Sequence, residues 1–166
     1  MELCKILGKF DIAKYYQQVS DALNQAIHRL FFDAEKKIYK TYLEKEGYSQ
    51  LANSLCILCG ACPSEYLSAV ADKIAYGYDG WVENTLSMNI FRFDALLAVD
   101  KGKYSSIILQ EMDRIFGGML ENDATSFWET EKGAADFDGA GSLCHGWSAS
   151  PIYYYHILGE VKNGGK

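Results

Sequence analysis

Proline is nearly absent, at two residues in 166, so little in this chain forbids long uninterrupted helices. No run of about 18 apolar residues exists, which excludes a membrane-spanning helix on length alone. Positive charge is in deficit: 22 acidic residues face 16 basic ones, for a formal net charge of −6. That balance argues against binding nucleic acid or an anionic membrane electrostatically. Cysteines number five, an odd count without framework-like spacing, which favours reduced thiols over a disulfide scaffold. The opening Met1-Glu2-Leu3-Cys4-Lys5 lacks the basic region and apolar run of a signal peptide. The compartment stays open, because a domain cut from a longer protein loses any such signal.

What the chain does have is apolar surface to bury. Apolar residues make up 49% of it, with twelve tyrosines, eight phenylalanines and three tryptophans. This is the composition of a folded domain, and the length suits one domain over residues 1–166 with a sizeable core. Core packing is the default role of so many aromatic rings, with stacking on flat ligands as the alternative.

The dominant periodicity is helical. Ile12, Tyr15, Tyr16, Val19, Leu23, Ile27, Leu30 and Phe31 recur at three- and four-residue intervals, predicting a helix from about Phe10 to Phe32 with Asp11 as N-cap. Lys37 to Leu43 alternates and is aromatic or β-branched, so a short β excursion is expected near residues 38–43. A second helix follows from about Tyr48 to Cys59. A third begins after Pro63, a favoured first helical residue, and turns Tyr66, Leu67, Val70, Ile74 and Ala75 inward. Gly77-Tyr78-Asp79-Gly80 interrupts the pattern. A fourth helix covers about Ser87 to Val99, a turn falls at Asp100-Lys101-Gly102-Lys103, and a fifth helix runs from about Tyr104 to Phe116. Glu121 to Leu143 is glycine-rich and aperiodic, a long loop whose Phe127, Trp128 and Phe137 mark it as functional rather than disordered. A last helix runs from about Ser148 to Val161. The fold class is all-α, a set of antiparallel helical hairpins.

Several chemical motifs have plainer readings beside them. Cys56, Cys59 and Cys62 have the spacing of part of an iron–sulfur run, but residue 66 is Tyr66 rather than a fourth ligand, and on an apolar helix cysteine acts as a small hydrophobe. Gly133, Gly139 and Gly141 form no phosphate loop. Ser142 and Ser148 lie near His145 without the orienting acid of a triad. His28 and His156 sit on helical segments and read as structural. No metal and no cofactor is implied. Glu129 beside Trp128, in a loop, is open to the partial desolvation that tunes a general base; the plainer reading is an exposed loop glutamate.

The run Ala124-Thr125-Ser126-Phe127-Trp128-Glu129-Thr130, followed by Ser142-Leu143-Cys144-His145-Gly146-Trp147-Ser148-Ala149-Ser150-Pro151, resembles the C-terminal part of six-hairpin glycosidases, and within them the α-L-rhamnosidase branch. Tyr48 to Asn53 looks like the start of an inner helix of that fold. Asn89 to Leu97 resembles the helix one hairpin before the Trp-Glu loop. The resemblance implies an (α/α)6 toroid of about twice this length, of which this chain supplies the second half.

It further implies a glycoside hydrolase, inverting, with Glu129 as general base, His145 as a contact to sugar hydroxyls, and the indoles of Trp128 and Trp147 as walls. An inverting pair of carboxyls stands roughly 6.5–9.5 Å apart. The family's acid belongs to the other half; Glu83, Asp136 and Asp138 are the local carboxylates that can stand in, and none matches an acid motif. The expectation is a carbohydrate-binding chain that is weakly active or inactive alone. The alternative is a non-catalytic carbohydrate-binding or structural module. A half-toroid exposes apolar helix faces, so self-association, or pairing with an N-terminal half, is expected.

Overall fold

The computed structural model describes the backbone of residues 2–163 and the side chains of residues 2–159. Six α-helices dominate: α1 (Glu2–Ile6), α2 (Phe10–Phe31), α3 (Gln50–Leu58), α4 (Ser64–Tyr76), α5 (Asn89–Glu121) and α6 (Pro151–Asn163). Two short strands, β1 (Phe32–Asp33) and β2 (Ile38–Tyr39), pair antiparallel. Among the described residues, no helix is long and apolar enough to cross a membrane.

The hairpin character is clearest in α5, which is broken at Asp100 (φ −156°, ψ 95°). On a straight helix Arg92 and Glu111 would stand about 28 Å apart at 1.5 Å per residue. Instead Arg92 Nη1 donates to both Glu111 oxygens at 2.5 and 2.6 Å, so the two halves fold back on each other. The expected turn at Asp100–Lys103 is therefore present. The Asp100 carboxylate caps it by accepting from the Lys103 N–H at 2.9 Å. Arg92, only 6% exposed, also donates to the Ile74 and Ala75 carbonyls at 3.1 and 3.4 Å. These belong to the last turn of α4, where carbonyls lack intrahelical partners.

The core lies between α3, α4, both halves of α5, and α6. Val70, Ala71 and Ile74 meet Phe93, Leu96, Tyr104, Ile108, Met112, Tyr154 and Leu158, all almost fully buried. Tyr154 crosses from α6 to α5, donating to the Ile90 carbonyl at 2.9 Å and the Asp94 carboxylate at 2.7 Å. The free side of β2 is closed by a buried side chain rather than a third strand. Asn53 accepts from the Tyr39 N–H at 2.8 Å and donates to the Tyr39 carbonyl at 3.1 Å.

Some local expectations need correction. Asp11 lies inside the first turn of α2 and Lys9 takes the N-cap position; the short α1 before it shifts the start. The helix α4 begins after Pro63 as expected, at Ser64, but Pro63 is its N-cap rather than its first helical residue. The β excursion is two residues in β2, and β1, which pairs with it, has no sequence signal of its own. The helix α3 starts at Gln50 rather than Tyr48, with Ser49 as its N-cap, the hydroxyl accepting from the Ala52 N–H at 3.2 Å. Cys56 is packed into the core, and burial pushes its thiol up to about 12. A thiol at that value is protonated at neutral pH and a poor metal ligand; no cluster of metal ligands occurs among the described residues.

Connections preceding α3, α5 and α6 gather at one end of the helices. The first two are tied directly, because Gln50 N–H donates to Val82 O and Val82 N–H to Tyr48 O, both at 2.9 Å. The 3-10 turn Leu86–Met88 of the second packs against the 3-10 turn Gly146–Ser148 of the third.

Candidate functional site

The long connection before α6 is ordered by its own backbone. His145 N–H donates to Phe127 O at 2.7 Å, Glu129 N–H donates to Ser142 O at 2.9 Å, and the Ser126 hydroxyl bonds the Leu143 carbonyl. Segments 126–129 and 142–145 thus lie side by side although a dozen residues separate them. This clasp brings the Trp-Glu run and the Cys-His-Gly-Trp run together.

Between the clasped segments the chain makes a compact lobe. A Cβ added at Gly141 would fall 1.9 Å from the Gly133 carbonyl oxygen, a spacing only glycine permits. A Cβ at Gly133, whose φ is +55°, would meet the Trp128 ring at 2.8 Å. Hence the lobe's two ends are pressed together against an indole.

Glu129 is half-buried, and its Oε2 accepts from the Ser142 N–H at 3.3 Å. Its other oxygen accepts no hydrogen bond from the described residues, so a single backbone donor orients the carboxylate. His145 is half-buried, with Nδ1 sharing a hydrogen with the buried Ser148 hydroxyl at 3.1 Å. That leaves Nε2 without a hydrogen-bond partner among the described residues. Trp147 is 80% exposed, an indole face open to solvent. Trp128 is turned the other way, packed with Leu86, Ile115 and Met119. Its position makes it first a support beneath the loop.

The three stand-in carboxylates differ in setting. Asp138 is exposed, on a left-handed backbone (φ +57°). The Asp136 carboxyl is held below the usual carboxylate range by the Thr130 hydroxyl beside it and by the Phe137 N–H, which donates at 3.0 Å. The buried Thr130 hydroxyl has no partner of full hydrogen-bond geometry. Glu83 faces two polar hollows.

Those hollows were not foreseen. One, of about 250 Å³, is bordered by Glu83, Asn84, Asn89, Arg92 and Glu131. A second, of about 420 Å³, is bordered by Glu83, Asn84, Thr130, Glu131, Lys132 and Phe137. Sharing Glu83, Asn84, Leu86 and Glu131, they form one trough beside the clasp. Glu131 is fixed there by Arg114, which donates at 2.6 and 3.1 Å. A signal for the trough exists in retrospect: Asn89 and Arg92 interrupt the apolar face at the start of α5. Neither hollow is bordered by Glu129, Trp128, His145 or Trp147. A separate hollow of about 470 Å³ between the end of α5 and the start of α6 is mainly apolar, with Phe116, Met119, Phe127 and Ile152 among its walls.

Comparisons with known proteins converge on one family. No curated protein sequence matches the chain. A GH78 family rhamnosidase of Bacillus sp. GL1 superposes with a TM-score of 0.79 at 25% identity, covering 93% of this chain and 17% of that one. A rhamnosidase from Klebsiella oxytoca, with rhamnose bound, superposes with a TM-score of 0.74 at 20% identity, covering 90% of this chain and 29% of that one. The chain therefore spans less than a third of either protein, and its helical hairpins form part of an α/α toroid. The bacterial alpha-L-rhamnosidase 6 hairpin glycosidase domain matches residues 1–157, so the chain belongs to the rhamnosidase branch of the six-hairpin glycosidases.

Proposed function

We propose that this chain carries the general-base part of an inverting α-L-rhamnosidase site, with Glu129 as the base. The observation that carries the reading is the clasp: one Glu129 oxygen is fixed by the Ser142 N–H while the other remains able to take a proton from water. Inversion needs such a carboxylate on the face of the sugar opposite the leaving group. His145, anchored through Nδ1 on Ser148, has Nε2 to offer a sugar hydroxyl. Trp147 supplies an exposed indole against which a pyranose packs, and Trp128 a wall or support behind it.

Nothing in the chain matches the acid that would protonate the leaving oxygen, so the proposal separates binding from turnover. The isolated chain is expected to bind L-rhamnose weakly and to hydrolyse an aryl α-L-rhamnoside weakly or not at all. Glu129→Gln should retain sugar binding, read by NMR titration, and remove any residual turnover. Strong Glu129-dependent turnover by this chain alone would overturn the incomplete-site reading. Binding lost in His145→Ala and Trp147→Ala, with no Glu129-dependent chemistry under any pairing, would favour a non-catalytic carbohydrate-binding module. The exposed apolar face of α2 is covered in use, on the same proposal, by self-association or by pairing with an N-terminal half.

A further inference from the structure

His145 and Ser148 are joined twice, and one of the two bonds is more than the local turn needs. The Ser148 N–H donates to the His145 carbonyl at 3.0 Å, which closes the 3-10 turn Gly146–Ser148. The Ser148 hydroxyl also stands 3.1 Å from His145 Nδ1. The turn is complete without that second bond. From the other side, the His145 N–H is held by the Phe127 carbonyl at 2.7 Å. Backbone and ring are thus anchored separately.

The direction of the ring bond follows from burial. Ser148 is 0% exposed, and among the described residues His145 Nδ1 is the one hydrogen-bond partner of its hydroxyl. A serine hydroxyl has a single proton to donate and two lone pairs to accept with. If Nδ1–H donated to Ser148, the serine proton would be buried with no acceptor, which is unfavourable. If the serine donates to the Nδ1 lone pair, each buried hydrogen of the pair has a partner. That arrangement puts the neutral ring's own proton on Nε2. An unmet buried donor weighs enough to favour this form by about tenfold or more in population.

We infer that Ser148 is a positioning residue for sugar recognition: its hydroxyl fixes His145 as the Nε2–H tautomer, so the ring meets the sugar as a hydrogen-bond donor. The inference rests on the reading of His145 as a contact to sugar hydroxyls, and it gives that contact a polarity. The sugar atom facing Nε2 is then an oxygen with a lone pair to share. An ionised carboxylate such as Glu129 only accepts. The two clasped segments therefore present opposite roles, Glu129 taking a hydrogen and His145 giving one. A hydrocarbon satisfies neither and an ether only the histidine, whereas a hydroxyl-bearing ring satisfies both.

The test is ¹H–¹⁵N NMR of the His145 imidazole in the full chain, in mildly alkaline buffer, alone and with L-rhamnose. The free chain should show a single neutral tautomer protonated on Nε2, and L-rhamnose should shift Nε2 more than Nδ1. Ser148→Ala should let the Nδ1–H form enter and average with the Nε2–H form. Its affinity for L-rhamnose should fall by up to about tenfold, the loss of one oriented hydrogen bond. Unchanged amide resonances away from residues 145–148 would show that this smaller side chain leaves the fold in place. Ser148→Thr, which keeps the hydroxyl, should restore tautomer and affinity together. A wild-type ring protonated on Nδ1, or averaging between forms, while still shifted by L-rhamnose, overturns the role of Ser148 and leaves the sugar contact intact. A Ser148→Ala chain with the wild-type tautomer and affinity does the same. L-Rhamnose shifting neither ring nitrogen of the wild type overturns the sugar contact itself, and the inference with it.

Discussion

The two longest helices both carry apolar stripes and meet opposite fates. In the second half of α5, Tyr104, Ile108, Met112, Ile115 and Met119 are all buried. In α2, Ala13 is the one buried residue among those described, and Phe10, Tyr15, Tyr16, Leu23 and Leu30 are each about half exposed or more. The C-terminal third of α2 is the part docked on the core: Ile27 and Phe31 touch it, His28 bonds the Tyr39 hydroxyl at 2.9 Å, and Asn24 donates to Cys59 O at 2.7 Å. A stripe's period is a local property of the sequence; its burial depends on what the chain brings alongside.

The sharpest way to break this contrast is paired truncation. Met112→Ala should cost about 3 kcal/mol, as removal of a fully buried side chain leaves a cavity its neighbours only partly fill. Urea denaturation by circular dichroism reads it. Leu23→Ala, at 59% exposure, should fall within about 0.5 kcal/mol in dilute chain. A Leu23 variant as destabilised as the Met112 variant would show that α2 is already covered by another copy, and sedimentation velocity would then show the wild type associated and the variant monomeric. The smallest effect belongs to the polar tie across the hairpin. The Lys103 ammonium, with desolvation opposing it and the Tyr104 hydroxyl assisting, holds Asp72 below the usual carboxylate value of 3.8. A depressed carboxylate contributes stability that is present above its unfolded value and lost as pH falls through the folded one. Wild-type stability should therefore drop below about pH 4, and Asp72→Asn should drop less over that window, measured as urea midpoints at stepped pH.

The same distinction between local and distant information separates what the sequence discloses from what it hides. The α2 stripe, the Asp100 turn and the helix over Gln50–Leu58 are legible because periodicity and glycine act within a few residues, whereas the cap expected at Asp11 falls at Lys9. The pairing of β1 with β2 is hidden, since two-residue strands have no period and depend on Asn53 to complete their hydrogen bonding. Glu129 and His145 are visible as a pair only through family resemblance; their adjacency comes from backbone bonds joining residues 126–129 to 142–145. The trough is more hidden still. Asn84, Asn89, Glu131 and Phe137 come from two separate connections and a helix start, and none is unusual in its own stretch of chain.

Gly141 against Gly133 has an implication for how such a loop changes. Because the contact shuts off residues 134–140 as a bight, lengthening or replacing that bight should leave the Glu129–Ser142 bond where it is. Phe137 rides on the bight; the carboxylate does not. The bight and the carboxylate would then be mechanically independent pieces, one interchangeable and one held still. Grafting a different bight between the two glycines should leave the Glu129 carboxylate where it is.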